Sequence, residues 1–123
     1  MIFIFGGAYQ GKLEYAMKNY SITEVCDCGD GREPDFSADA ICGIAGYVME
    51  CVKNGRDAAL FFEGNSEALR DKILINTDVS SGVVPVDRQE REFREMNGRV
   101  NILLAEMADK VIHVFCGIGK TMK

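Results

Sequence analysis

Proline occurs only twice and histidine once in this chain of 123 residues. Two prolines exclude a proline-rich linker. A single histidine, His113, confines any histidine-centred covalent chemistry to one position. Long apolar runs are missing too. The longest, residues 1–8, falls far short of the about 20 residues a membrane-spanning helix needs. The nearest lysine, Lys12, follows that run instead of preceding it, the wrong order for a signal peptide. Positive charge is in deficit, 14 Lys and Arg against 19 Asp and Glu, for a net charge of -5. That balance argues against a general nucleic-acid groove and against an anionic membrane surface as partner. Any phosphate binding must be local, through a few residues or backbone amides. The chain is expected to be cytoplasmic, with neither nucleic acid nor membrane as partner.

The rest of the composition is that of a soluble globular protein, 47% hydrophobic and 27% charged. The length suits one domain, residues 1–123, with a real core. Five cysteines cannot all pair internally, and free thiols are the default in a reducing compartment. Cys26 and Cys28 form a C-x-C, but no second pair stands at zinc-site spacing. Cys42 and Cys51 fall on opposite faces of what reads as one helix. Core packing is therefore the expected role of the cysteines.

Apolar periodicity divides the chain into alternating elements. Residues 2–5 read as a buried strand, 11–20 as a helix, 22–26 as a strand and 29–34 as a loop. Residues 37–54 read as a long helix on Ile41, Ile44, Ala45, Val48 and Val52, with Asp35 or Ser37 as cap and Gly55 as stop. Then come a strand over 58–62, a short helix over 66–71 and a strand over 73–76. A loop over 77–85 carries Ser80, Ser81 and Gly82. A second long helix spans 86–109, its buried side marked by Phe93, Val100, Leu103, Leu104 and Met107. The wet side carries pairs such as Arg88 with Glu92. A strand over 110–116 and a flexible tail over 117–123 complete the chain. This order predicts an α/β fold of three layers, a mainly parallel sheet flanked by helices.

The first strand runs into Gly6, Gly7, Ala8, Tyr9, Gln10, Gly11, Lys12 and Leu13. Gly6, Gly11 and Lys12 fit the G-x-x-x-x-G-K of a P-loop, with a strand before and a helix after. Glycines let backbone amides curl around a phosphate. The helix start adds a partial positive charge and Lys12 a full one. The position that normally offers a hydroxyl to magnesium is Leu13, which has no oxygen. The alternative for this stretch is a plain glycine-rich turn. Gly117, Gly119, Lys120 and Thr121 imitate the end of the motif, but no helix follows them.

Three blocks resemble the adenosylcobinamide kinase / adenosylcobinamide-phosphate guanylyltransferase family of cobalamin biosynthesis. They are GGAYQGKLEYA (6–16), INTDVSSGVVP (75–85) and REFREMNGRVNILLAEMADKVIHVFCGI (91–118). A weaker match is Val25 to Cys28, similar to a family strand ending in Asp-Cys whose acid serves the nucleotide's metal. The resemblance implies a P-loop NTPase-like domain that binds ATP or GTP with magnesium. Its implied acceptor is a cobinamide hydroxyl, and its implied assembly a homo-oligomer, a trimer. It assigns phosphate binding to residues 6–13, charge stabilisation to Lys12, and metal to Asp27. Asp78 would orient or deprotonate the hydroxyl. Asp27 reads equally well as a loop acid.

The departures from the pattern bear on activity. The family's histidine-bearing segment is missing between the first helix and Val25, and His113 does not stand at the nucleophile's position. Guanylyl transfer by the family route therefore has no evident acceptor. The family's Asn-Glu reads Thr77-Asp78, and the magnesium serine reads Leu13. Three functions stay open: a kinase of the family type, a nucleotide-binding homologue without catalysis, and an oligomeric interaction module.

Overall fold

The computed structural model describes residues 1–79 and 86–123. The part of the 77–85 loop that carries Ser80, Ser81 and Gly82 lies outside them. Among the described residues a six-stranded sheet forms with the order β2-β3-β4-β1-β5-β6. Its strands are β1 (Ile2–Gly6), β2 (Val25–Asp27), β3 (Ala40–Cys42), β4 (Ile73–Thr77), β5 (Lys110–Phe115) and β6 (Ile118–Thr121). The first five run parallel, and β6 pairs antiparallel with β5. Helix α1 (Lys12–Asn19) lies on one face. On the other lie α2 (Ile44–Lys53), α3 (Ala58–Gly64), α4 (Ser66–Leu69) and α5 (Arg88–Met107). This is the expected three-layer, P-loop NTPase-like α/β architecture. No helix among the described residues is long and apolar enough to cross a membrane.

The sheet has two dry faces because its central strand β1 carries no polar side chain and its neighbours β4 and β5 are mostly apolar. In β1, Phe3 points into the cluster beneath α2 and α5, and Ile4 into the cluster beneath α1. Parallel strands covered on both sides take this form. Burying each such side chain contributes about 1.5–3 kcal/mol. In α5, Val100 and Leu104 are fully buried, and Phe93, Leu103 and Met107 pack against the same cluster. The surface pair Arg88–Glu92 forms at 3.1 Å.

Three segments depart from the sequence reading. Residues 40–42 form a strand, so the long helix expected from residue 37 starts only at Ile44. Gly43 breaks it, at φ +64, where an added Cβ would run into Asp27 and Gly29. Asp35 caps no helix; its carboxylate accepts from the Ser37 backbone and hydroxyl instead. Cys42 and Cys51 therefore occupy a strand and a helix, in separate clusters, not one helix. Residues 58–62, expected as a strand, form α3. Asp57 caps it by accepting from Ala59 N at 2.9 Å. Ala58 and Phe62, four residues apart, are buried while Leu60 between them is exposed. A strand would put all three on one face.

The tail is likewise a strand. Cys116 (φ 50) and Gly117 (φ 76) make a two-residue turn with both central residues left-handed, which returns the chain as β6. The Tyr15 ring of α1 lies against Gly119, where only hydrogen fits.

A polar knot ties β4 to α5. The Asn76 amide donates to Asn97 Oδ1 at 2.9 Å and to Asn101 Oδ1 at 2.7 Å. Asn97 in turn donates to the Thr77 carbonyl at 2.9 Å. Asn76 and Asn97 are buried, and Asn76 Oδ1 has no partner among the described residues.

Two predictions test these contacts by urea denaturation. Gly98→Ala, in open space within α5, stabilises by about 0.5–1 kcal/mol, the usual helix gain. Gly46→Ala in α2 reverses that sign, because its methyl runs into the Cys28 and Gly29 carbonyls, and costs about 1–3 kcal/mol. Asn97→Ala costs about 1–3 kcal/mol by orphaning buried partners. Asn101→Ala costs less, because water can reach that half-buried site.

Candidate nucleotide site

All five parallel strands present their C-terminal ends at one edge of the sheet, where α/β proteins place ligands. The loop of residues 6–11 leaves β1 there and enters α1. Gly6 sits where a Cβ would run into the Val114 carbonyl. Tyr9 (φ 60) and Gly11 (φ 83) are left-handed, and Gly11 forms the start of α1 without a side-chain cap. Uncapped N–H groups at a helix start favour anions.

A cleft of about 190 Å³ opens beside this loop. Lys12, Leu13, Cys42, Gly43 and Thr77 line it, together with loop residues from Tyr9 to Gly11. Lys12 Nζ donates to the Gly7 carbonyl at 2.7 Å. Burial pushes its ammonium below the ordinary lysine range, and Glu14 partly opposes that. Glu14, in the first turn of α1, is the one acid lining the cleft among the described residues. A larger hollow of about 350 Å³, between α2 and α5, offers only surface Arg, Asp and Glu side chains around Val52 and Met96. It lacks a glycine-rich loop.

The structure brings some of the sequence candidates together and separates others. Gly6 to Leu13 form the loop and one wall. Asp78 stands at its foot, since its N–H donates to the Gly6 carbonyl at 2.8 Å. Asp27 ends β2, separated from β1 by β3 and β4, and lines no part of the cleft. Its Oδ1 accepts from Gly29 N at 2.8 Å. Its carboxylate lies behind the cleft wall, against Gly43 and the Cys42 thiol. Burial first, then Asp27, pushes the Cys42 thiol up to about 11. His113 lies on β5 with its ring on Phe5, centroids 4.8 Å apart.

The residues present do not fit a magnesium ion held by side chains. Leu13 is apolar, Asp27 is turned to Gly29 and Cys42, and no group of three metal-ligating residues is gathered among the described residues.

Sequence reasoning missed Cys42 and Gly43 as cleft wall because β3 read as helix, and Thr77 because only strand order sets the end of β4 beside the loop. It also missed a clasp on the loop. The Gln10 carbonyl accepts from Gly117 N at 2.8 Å, and its Oε1 accepts from Cys116 N at 2.7 Å.

Residues 50–122 match the family described as cobinamide kinase / cobinamide phosphate guanyltransferase. The bifunctional adenosylcobalamin biosynthesis protein CobU of Salmonella typhimurium is 45% identical over 51 residues. That of Escherichia coli is 43% identical over 51 residues. The aligned stretch is 42% of this chain and 28% of each relative. The glycine-rich loop of residues 6–11 lies before the matched family segment. That segment nevertheless takes in α3, α4, β4, α5, β5 and β6, more than half of the chain. The chain belongs to the cobinamide kinase / cobinamide phosphate guanyltransferase family.

Proposed function

We propose that the chain binds the polyphosphate of ATP or GTP in the cleft beside residues 6–13 and serves cobalamin biosynthesis as a transferase acting on cobinamide. The observation that carries this reading is the uncapped start of α1 beside Lys12, at the edge where the parallel strands end. Backbone amides of the loop would hold the phosphates, and Lys12 would exchange its bond to the Gly7 carbonyl for a phosphate oxygen. Asp78, anchored on Gly6, is the group that would orient an acceptor hydroxyl. Phosphoryl transfer needs mainly positioning and charge neutralisation, which such a cleft supplies. The nucleotide's own phosphates would hold magnesium, since Leu13 offers no oxygen and the Asp27 carboxylate is taken up by Gly29 N and the Cys42 thiol.

A second reading has its own support. Leu13 in the cleft and His113 on Phe5 favour a nucleotide-binding homologue that transfers nothing. Assembly into a homo-oligomer is compatible with both readings. Phe115 and Ile118, paired across the β5–β6 turn, are exposed and apolar.

Calorimetric titration of ATP and GTP, each with and without magnesium, tests the site. Lys12→Ala should weaken nucleotide binding roughly ten- to a hundredfold, the worth of a charged hydrogen bond. Leu13→Ser should make affinity more dependent on magnesium. Absence of binding by the unaltered chain would sink both nucleotide readings and leave an interaction scaffold. Phosphate transfer to cobinamide, assayed with the same protein, separates the first reading from the second.

A further inference from the structure

Cys26 and Cys28 lie at the end of the edge strand β2, one residue on each side of Asp27. Both point into the cluster beneath α2 and α5, since residues two apart in extended chain share a face. Their sulfurs are 3.8 Å apart. A disulfide needs about 2.05 Å, so the sulfurs must close by about 1.8 Å. The Asp35 N–H points at the Cys26 sulfur from 3.5 Å. Cys28 is fully buried, and Cys26 is 8% exposed on a three-residue edge strand. Asp27 faces the other way, to the Cys42 thiol and the foot of Gly43.

We propose that Cys26 and Cys28 are a dithiol pair that forms a reversible intramolecular disulfide when the protein meets a low-molecular-weight disulfide oxidant. The Cys26 thiolate attacks one sulfur of the oxidant, and the other sulfur leaves as a thiolate that takes up a proton. Cys28, losing its own proton, then attacks the Cys26 sulfur of the mixed disulfide and expels the second small thiol. The net change is two protein thiols and one small disulfide to one protein disulfide and two small thiols. In a reducing compartment such pairs act as transient sensors. Drawing the sulfurs together pinches the backbone around Asp27. That moves its carboxylate against Cys42 and Gly43, which line the cleft. The pair thus couples oxidation to the cleft wall, and the proposal does not rest on what the cleft binds.

The test uses the full chain as Cys116→Ser, which removes the exposed thiol and leaves four buried ones. The reduced protein is incubated with oxidised glutathione. Two of the four thiols should disappear, with a mass loss of two hydrogens in the one peptide that holds Cys26 and Cys28, restored by dithiothreitol. Cys28→Ser should stop at a glutathione adduct on Cys26. Four surviving thiols, an adduct that never resolves in the Cys116→Ser protein, or a bridge to Cys42 would each overturn the pairing. Peptide mapping of that protein decides the matter even if Cys28→Ser does not fold. Hydrogen exchange at residues 43–46 should rise on oxidation; unchanged exchange would overturn the coupling to the cleft wall.

Discussion

Three strands meet at one residue without a side chain. The Gly6 carbonyl accepts the Asp78 N–H from beyond β4, while the Val114 carbonyl of β5 occupies the space a methyl would need. Any larger residue would push β5 off β1 and tilt the start of the glycine-rich loop. The position of Lys12, the foot of Asp78 and the reach of the β5–β6 turn all descend from that close approach. Overpacking of this kind costs about 1–3 kcal/mol, comparable to a sizeable fraction of a small domain's stability. The restriction is therefore on stability and on site shape together.

Electrostatics at the cleft are local, as the net charge requires. Among the described residues Lys12 is the single cation lining it, and Glu14 sits on the same helical turn. Part of the attraction for a phosphate must then come from backbone amides, whose dipoles do not depend on the chain's acidity. Burial disfavours the Lys12 ammonium, and an anion placed beside it would offset that cost. The Gly7 carbonyl partly relieves it in the meantime.

How much of this was legible depended on whether a segment's pattern was longer than its ambiguity. The apolar residues 2–5, bounded by Gly6-Gly7, read as a buried strand, and α5 carried its apolar period from Phe93 to Met107, about four turns. The strand of Ala40, Ile41 and Cys42 is too short to show a period of its own, and the apolar residues after it completed a helical pattern across Gly43. The Asp57 cap was the overlooked sign for α3, since an acceptor immediately before an apolar run marks a helix start. The β5–β6 turn needs left-handed backbone at a cysteine, and no residue-type preference announces that. Within the site, the loop and Lys12 were readable from the motif. Cys42 and Thr77 were not, because they join the loop only through strand order.

Strand order also has a consequence in time. β1 is synthesised first, yet both its neighbours come late: Ile2 pairs with Ile73 on one side and with Lys110 on the other. At ribosomal speeds of about 5–20 residues per second, roughly 5–20 seconds pass before the second neighbour exists. Until β4 is made, a run of Ile, Phe, Ile and Phe has no neighbouring strand of this sheet to pair with, and one side of it stays open until β5 follows.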